Sequence, residues 1–431
     1  MKRKTSTASN RVQLVSLKNL PAPMEELCKT LRLEAGRCWT DIVALHKASR
    51  KKKKHWLDES KLKKKTKGGK YNLHSQSIQA LCEKLIANVD TASSLRESQK
   101  KEHQRITAEY PYRPKAYQTV TWKQSAIRYN SKHLILSNGK GQPSLVLPIP
   151  EQLREKAIVS IELTWRADHY ELCVNTEDKP LPKVRKHFRK FAGGDPGEIN
   201  LLAVVTDKGE ALVISGRGLR AIKRLRNKRA AAYSSRLSRC TPGSRRHRKL
   251  LKQKARASAK YYRQQRDFLH KGAHQVSEFC QQEEVQMLAM GDVRDIADGV
   301  NKGKHCNQKI SQWPHGQFRK YTEEKLARQK CSTTLTPEPK TSRTCCLCGH
   351  ELSQAPRGRV FLCPGCGARI NRDANGGANI CSRAKFGRLA KVPVHHVTYR
   401  RPLCGVEARI QPMLLPAQAG RSLRLPAFAD R

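Results

Sequence analysis

The sequence predicts a multidomain α+β chain, in which a helical lobe is set into a β-barrel or sheet and is followed by an α/β domain with an inserted zinc ribbon. Three observations carry this. Apolar residues recur at helical spacing over residues 27–92, and short β-rich runs fill 110–175. Two Cys-x-x-Cys pairs then sit late in a stretch where strands and helices alternate.

The first element is a short strand, Val12 to Leu17. A helix is expected from about Pro23, because Leu27, Leu31, Ala35, Cys38, Ile42 and Leu45 repeat every three or four residues, as one buried stripe requires. Residues 50–70 carry KKKK and KKK runs and a Gly-Gly pair, and read as a solvated basic break. Ile78, Leu81, Leu85, Val89 and Ala92 mark a second amphipathic helix. The runs YQTVTW, HLILSN, PSLVLPI, IVSIEL and HYELCVN then form a β domain, which the early strand is free to join.

The third region opens with RKFAGGDPG and the hairpin INLLAVVTDKGEALVIS. A long basic helical stretch follows, Arg217 to about Cys280, then the strand VQMLAMGD, the helix HGQFRKYTEEKLARQK, the cysteine pairs and a last helix at 373–382. The boundaries drawn are 1–22 for the first strand, 23–107 for the helical lobe and 108–186 for the β domain. Residues 187–340 form the α/β domain, 341–370 the ribbon and 371–385 the final helix. Residues 386–431 are a Pro- and Arg-rich tail without periodicity, expected to be disordered and dispensable.

Composition narrows the function. Lys and Arg number 86 against 36 Asp and Glu, a formal charge of +50 over 431 residues. A compact chain that positive repels itself unless a polyanion neutralises it, and nucleic acid is the obvious one. No apolar run approaches the ~20 residues that span a bilayer, and no secretory leader follows the basic start MKRKTSTASN, so a soluble protein without a membrane partner is expected. Fifteen cysteines scattered through a Lys-rich chain point to a reducing compartment and a metal site rather than to disulfides.

Cys345-x-x-Cys348 and Cys363-x-x-Cys366, each followed by glycine, present four thiolates to one Zn²⁺. Such a site has no open coordination position and is structural; the spacing selects Cys345 over its neighbour Cys346. Asp195 ends an apolar strand ahead of a hairpin. It is either a turn residue or the first carboxylate of an RNase H-like fold, in which two Mg²⁺ about 4 Å apart clamp a phosphodiester. Asp373 opens a helix, as an N-cap or as a carboxylate facing that strand. Arg220, Lys223, Arg224, Arg226 and Lys228 either line a phosphate groove or form a solvated helix face. Trp313 and His315 sit in a loop ahead of the next helix, as packing or as a nucleic-acid contact.

Taken in order, D-P-G, T-S-x-x-C-x-x-C, C-x-x-C-G and R-D-x-N-x-x-x-N-I resemble the RuvC and zinc-ribbon half of TnpB proteins and the related compact type V CRISPR effectors. The resemblance covers roughly residues 187–383; the N-terminal half matches only in arrangement. It implies an RNA-guided DNA endonuclease of mobile-element origin with catalytic Mg²⁺ and structural Zn²⁺. Its partners would be a guide RNA and target double-stranded DNA, its location a prokaryotic cytoplasm, and its place on DNA the nucleoid. Asp195 and Asp373 would be the first and last catalytic carboxylates. The middle Glu of most relatives falls here on Gly291. Asp292 is one residue along, on the opposite strand face, and Glu338, ahead of the T-S pair, is the preferred substitute. A nuclease-inactive RNA-guided DNA-binding regulator is the alternative.

Overall fold

A computed structural model describes residues 9–53, 56–182, 187–297, 299, 301–356, 358–402 and 407–410. The chain divides into two units, Met1–Pro180 and Leu181–Arg431. No helix among the described residues is long and apolar enough to cross a membrane.

In the first unit, strand β1 (Ser9–Leu17) is followed by three helices, α1 (Ala22–Lys53), α2 (Glu59–Lys65) and α3 (Ser75–Lys101). Then come β2 (Val120–Lys123), β3 (Ile127–Tyr129), β4 (His133–Leu136), β5 (Leu145–Pro148), β6 (Ile158–Trp165) and β7 (Tyr170–Asp178). β1 pairs antiparallel with β7 in a four-stranded sheet of order β1-β7-β6-β2, and β3-β4-β5 form a second sheet. The helices therefore lie between two strands of one sheet along the chain. Their buried stripes are those the periodicity marked: Leu31, Ala35, Cys38 and Ile42 on α1, and Ile78, Leu81, Leu85, Val89 and Ala92 on α3.

The basic stretch of residues 50–70 holds a surprise in α2. Asp58 caps it by accepting from Lys61 N at 2.8 Å, Leu62 is fully buried, and Lys63 reaches Glu59 and Glu83, each at 2.7 Å. A single inward leucine and a cap are enough to order a helix whose other residues are solvated.

In the second unit, β8 (Phe191–Pro196), β9 (Asn200–Thr206) and β10 (Glu210–Ser215) lead to the long helices α4 (Arg217–Ser238) and α5 (Arg245–Gln282). β11 (Met287–Gly291), α6 (Lys304–Ser311), α7 (His315–Arg328) and β12 (Ser332–Thr336) follow. The ribbon strands are β13 (Val360–Leu362) and β14 (Arg369–Asn371), and the unit closes with α8 (Arg372–Phe386), β15 (His396–Arg400) and β16 (Glu407–Ile410). One seven-stranded sheet runs β12-β11-β8-β9-β10-β15-β16, with β12, β11 and β8 parallel and β9 antiparallel to β8.

Both faces of this sheet are covered, which is why INLLAVVT reads as a continuous apolar run. Leu202 and Val204 pack with Phe268, Val276 and Phe318 of α5 and α7, while Ala203 and Val205 pack with Ala374 and Ala378 of α8 and with the ribbon's Phe361. α8 lies so close to β8 that a Cβ on Gly193 would stand 2.1 Å from Cys381 N and 2.2 Å from Gly377 O. The paired glycines of GGDPG and NGGAN permit this approach.

The tail differs from expectation where it is described. Residues 396–400 form β15, paired in parallel with Glu210–Ile214 of β10, and Val392, Val394 and Val397 are buried. The backbone of β15 pairs with the otherwise open edge of β10, and a Pro-rich composition concealed so short a strand. Residues 411–431 lie outside the described residues.

Candidate active site and metal centre

β8, β11 and β12 are parallel, and their C-terminal ends are where open α/β sheets place their sites. Asp195 is the penultimate residue of β8, and its side chain turns to the α8 face: a Cβ on Gly376 would stand 2.4 Å from Asp195 Oδ2. Asp373 lies three residues before Gly376, on the same helix face and one turn away.

Asp373 is not the helix cap. Asn371 is, its Oδ1 accepting from Asp373 N at 3.0 Å and Ala374 N at 3.1 Å. This leaves the buried Asp373 carboxylate to accept from Asn200 Nδ2 at 2.7 Å, from the Arg359 guanidinium at 3.2 Å and from Arg372 at 3.2 Å.

The strand position expected to hold a glutamate is occupied from elsewhere. A Cβ built on Gly291 would stand 1.9 Å from Glu338 Oε1, so the Glu338 carboxyl fills the volume of the absent side chain. The segment bearing Glu338 is pinned on both sides. Arg383 of α8 donates to Pro337 O at 2.7 Å and Pro339 O at 2.9 Å, and Thr341 Oγ1 donates to Glu338 O at 2.8 Å. Asp292 is placed differently: Arg294 holds it by Nε at 2.9 Å and by a terminal nitrogen at 2.6 Å, and its carboxyl is lowered below the usual range chiefly by that pairing.

Electrostatics describe one crowded cluster. Burial first, then the negative fields of Asp373 and Glu338, push the Asp195 carboxyl well above the ordinary range, against the opposing charge of Arg372. Burial, with Asp292 second, raises Glu338 to about 7. Glu338 Oε1 is buried without a hydrogen-bond partner. Carboxylates driven together this way offer several hard oxygen donors at one point, a set that suits Mg²⁺.

The four predicted cysteines also converge: one sulfur from each of Cys345, Cys348, Cys363 and Cys366 lies within 4.8 Å of the others. The Cys345–Cys366 and Cys348–Cys363 sulfurs are 3.8 and 3.4 Å apart, close to the ~3.8 Å edge of a tetrahedron with metal–sulfur bonds of ~2.3 Å. Gly349 and Gly367 take φ of +85° and +67°, and the amide of His350 donates to Cys348 Sγ at 3.4 Å. The four-sulfur cluster could therefore bind zinc. Cys346 is outside it, buried against α8 with its amide donating to Asn375 Oδ1 at 2.9 Å.

Two asparagines tie this ribbon to the carboxylates. Asn375 and Asn379, four residues apart on α8, each donate to Thr344 O, at 2.8 and 2.7 Å, and Asn379 also donates to Thr341 O at 2.8 Å. The R-D-x-N-x-x-x-N spacing carried this signal as one helix face. The roles of Asn200 and Arg359, far from Asp373 in sequence, had none.

The basic residues of α4 separate by face. Arg224 and Lys228 are exposed, Arg226 is half-buried, and Arg220 meets Glu198 at 3.4 Å. Lys223 is buried at 5% exposure, with Nζ lacking a partner and its pKa lowered by that burial. It shares the inward face with Leu219, four residues earlier, so it is not available as a phosphate contact.

Fold and clusters together define an α+β protein with a mixed seven-stranded sheet and a four-cysteine cluster. Residues 171–297 match the family OrfB_IS605, described as a probable transposase, and residues 315–380 match the TNB domain of Cas12f1-like proteins. Each match spans under a third of the chain, and both are consistent with a likeness to the TnpB-like family. No curated protein matches. Among solved structures, a Cas12f1–sgRNA–target DNA complex is similar in fold at a TM-score of 0.62 and 12% identity, over 87% of this chain and 99% of that one. The mini-RNA-guided endonuclease CRISPR-Cas_phi3 gives a TM-score of 0.49 at 10% identity, over 90% of this chain and 94% of that one.

Proposed function

We propose that the protein is an RNA-guided DNA endonuclease, of mobile-element origin, that hydrolyses phosphodiester bonds at Asp195, Glu338 and Asp373. The observation that carries this reading is the Glu338 carboxyl in the side-chain volume of Gly291: it restores a third acid to the strand ends, beside Asp195 and across from Asp373. These three residues would hold Mg²⁺, two ions in the usual arrangement, and Cys345, Cys348, Cys363 and Cys366 would hold one Zn²⁺. Bound Mg²⁺ supplies an activated water and neutralises the charge that develops on the phosphate and the leaving 3′ oxygen.

The chain's own residues supply the rest. Asn200 and Asn371 fix the rotamer and helix position from which Asp373 binds, and the Arg383 clamp fixes Glu338. Arg359 and Arg372 balance the acids before metal and phosphate arrive. The helical lobe, the β domain read as a barrel around it, and the exposed Arg224 and Lys228 would grip guide RNA and its duplex with target DNA by the backbone, leaving base pairing to read sequence. The Cas12f1–sgRNA–target DNA complex named above is the precedent for such partners.

The test is co-expression with the flanking genomic sequence, sequencing of the bound RNA, and exposure of a guide-matched plasmid library to that complex with Mg²⁺. Cuts at the matched site that vanish in Asp195→Ala support the proposal. Specific binding without cuts would instead leave a nuclease-inactive regulator, and the absence of bound RNA would sink both.

A further inference from the structure

Strand β15, near the end of the described chain, reaches the candidate site from the far side of β10. Tyr399 stands opposite Val213 of β10 and Ala408 of β16. Side chains alternate along a strand, so Val397 and Tyr399 share one face. That face packs into the cluster formed by Ala374 and Ala378 of α8 and Phe361 of the ribbon. At its tip the Tyr399 hydroxyl oxygen accepts a hydrogen bond from Asn371 Nδ2 at 2.9 Å. Burial raises the phenol's pKa and the negative field of Asp373 adds to the rise, against the lowering by the Asn371 bond, so the group stays a neutral hydroxyl.

Asn371 is the joint on which Asp373 depends. It is the last residue of β14, paired with Val360 of the other ribbon strand, and the next residue begins α8. Its Oδ1 serves the first turn of that helix through Asp373 N and Ala374 N. A side-chain amide has two ends, and the cap uses one. The Nδ2 end must be held elsewhere for Oδ1 to stay aimed at the helix, because turning the amide over would set its own N–H groups against two backbone donors. Tyr399 holds that end, from a strand 28 residues further along the chain. Asn200, Arg359 and Arg372 touch the Asp373 carboxylate itself, whereas Tyr399 acts on the backbone that carries it.

We infer that Tyr399 is a positioning residue for the metal site: through Asn371 it fixes the start of α8, and with it the Asp373 carboxylate that would hold Mg²⁺. The inference rests on the nuclease reading for its ligand and adds to it a residue of β15, which no motif around the acids marks. The strand beyond α8 then serves the site directly, in addition to pairing with β10.

Two measurements on the full-length chain test this. Tyr399→Phe removes one oxygen and keeps the ring against the ribbon, so β15 stays paired. Mn²⁺ is titrated into the protein without RNA and followed by electron paramagnetic resonance, counting only binding that Asp373→Ala removes. Tyr399→Phe should bind it about tenfold more weakly than the wild type, the lower end of what losing a group behind a metal ligand costs. Asn371→Ser keeps a capping oxygen but has no amide to reach Tyr399, so adding Tyr399→Phe to it should weaken Mn²⁺ binding no further. In the RNA complex, the Mg²⁺ concentration for half-maximal single-turnover cleavage should rise by the same factor, with the rate at saturating Mg²⁺ restored. Equal Mn²⁺ binding by Tyr399→Phe and wild type, an unmoved Mg²⁺ requirement, or a further loss on top of Asn371→Ser overturns the inference and leaves the nuclease reading intact. A wild type that holds Mn²⁺ at Asp373 but cuts nothing overturns the nuclease reading alone, and one that holds none there overturns both.

Discussion

Gly291→Ala perturbs the proposed site without altering any charge. The new methyl would begin 1.9 Å from Glu338 Oε1 and 2.8 Å from its Cδ, whereas ordinary contact starts near 3.4 Å, so the carboxyl must withdraw by roughly 1.5 Å. A 1 Å misplacement can cost about 10²-fold in rate, so cleavage should fall at least that far while guide RNA binding is unchanged. Glu338→Ala should lose as much or more. The double variant Gly291→Glu, Glu338→Ala returns a carboxylate to the same volume from the strand end and should recover most of the lost rate. Single-turnover plasmid cleavage with saturating guide RNA and Mg²⁺ reads all three. If Gly291→Ala cuts at the wild-type rate, or if Glu338→Ala keeps full activity while Asp292→Ala abolishes it, the reasoning is wrong and the middle acid is Asp292.

Four further outcomes follow from the same geometry. Because Glu338 is raised to about 7 in the fold, the neutral carboxyl's stability is whole below its unfolded pKa of ~4.3 and lost by pH 7, a difference of about 3 kcal/mol. In metal-free protein, Glu338→Gln should therefore melt with the wild type near pH 4 and above it at pH 8, with Mg²⁺ closing the gap; parallel curves across that range would contradict this. Chelation, or Cys363→Ser, should release one zinc per chain and reduce cleavage more than RNA binding, because Asn375 and Asn379 couple ribbon to α8; atomic absorption with a cleavage assay decides. Arg224→Ala and Lys228→Ala should each lower the salt slope of nucleic-acid binding by about one, while Lys223→Met leaves it unchanged, which titrations from low to moderate salt resolve. Truncation after Lys385 removes β15 and should lower the melting midpoint and promote aggregation, readable by light scattering, even with RNA supplied.

How much of this was legible in the sequence depends on how local the cause was. The cysteine spacing, the helical stripes of α1 and α3 and the hairpin of β9 and β10 are local patterns, and each appears as read. Asp195 and Asp373 were visible through their flanking motifs. The substitution of Glu338 for the side chain of Gly291 was legible only as a choice between two residues, because it depends on where a segment beyond β12 folds back. Lys223 was hidden inside a charge run: composition gives no sign of which lysine on a basic helix turns inward, and only the Leu219 spacing hinted at it. β15 escaped because five residues among prolines and arginines carry too little pattern, and its partner is remote in the chain.

That remoteness sets an order of assembly. Emerging from the ribosome, β8, β9 and β10 can zip into their hairpins at once, yet the far edge of β10 stays open until residues 216–395 have been synthesised and β15 arrives. Through that interval the nascent chain exposes an apolar strand able to accept any extended peptide. Growth of the polypeptide, rather than any local folding step, decides when this half of the molecule becomes safe from misassociation.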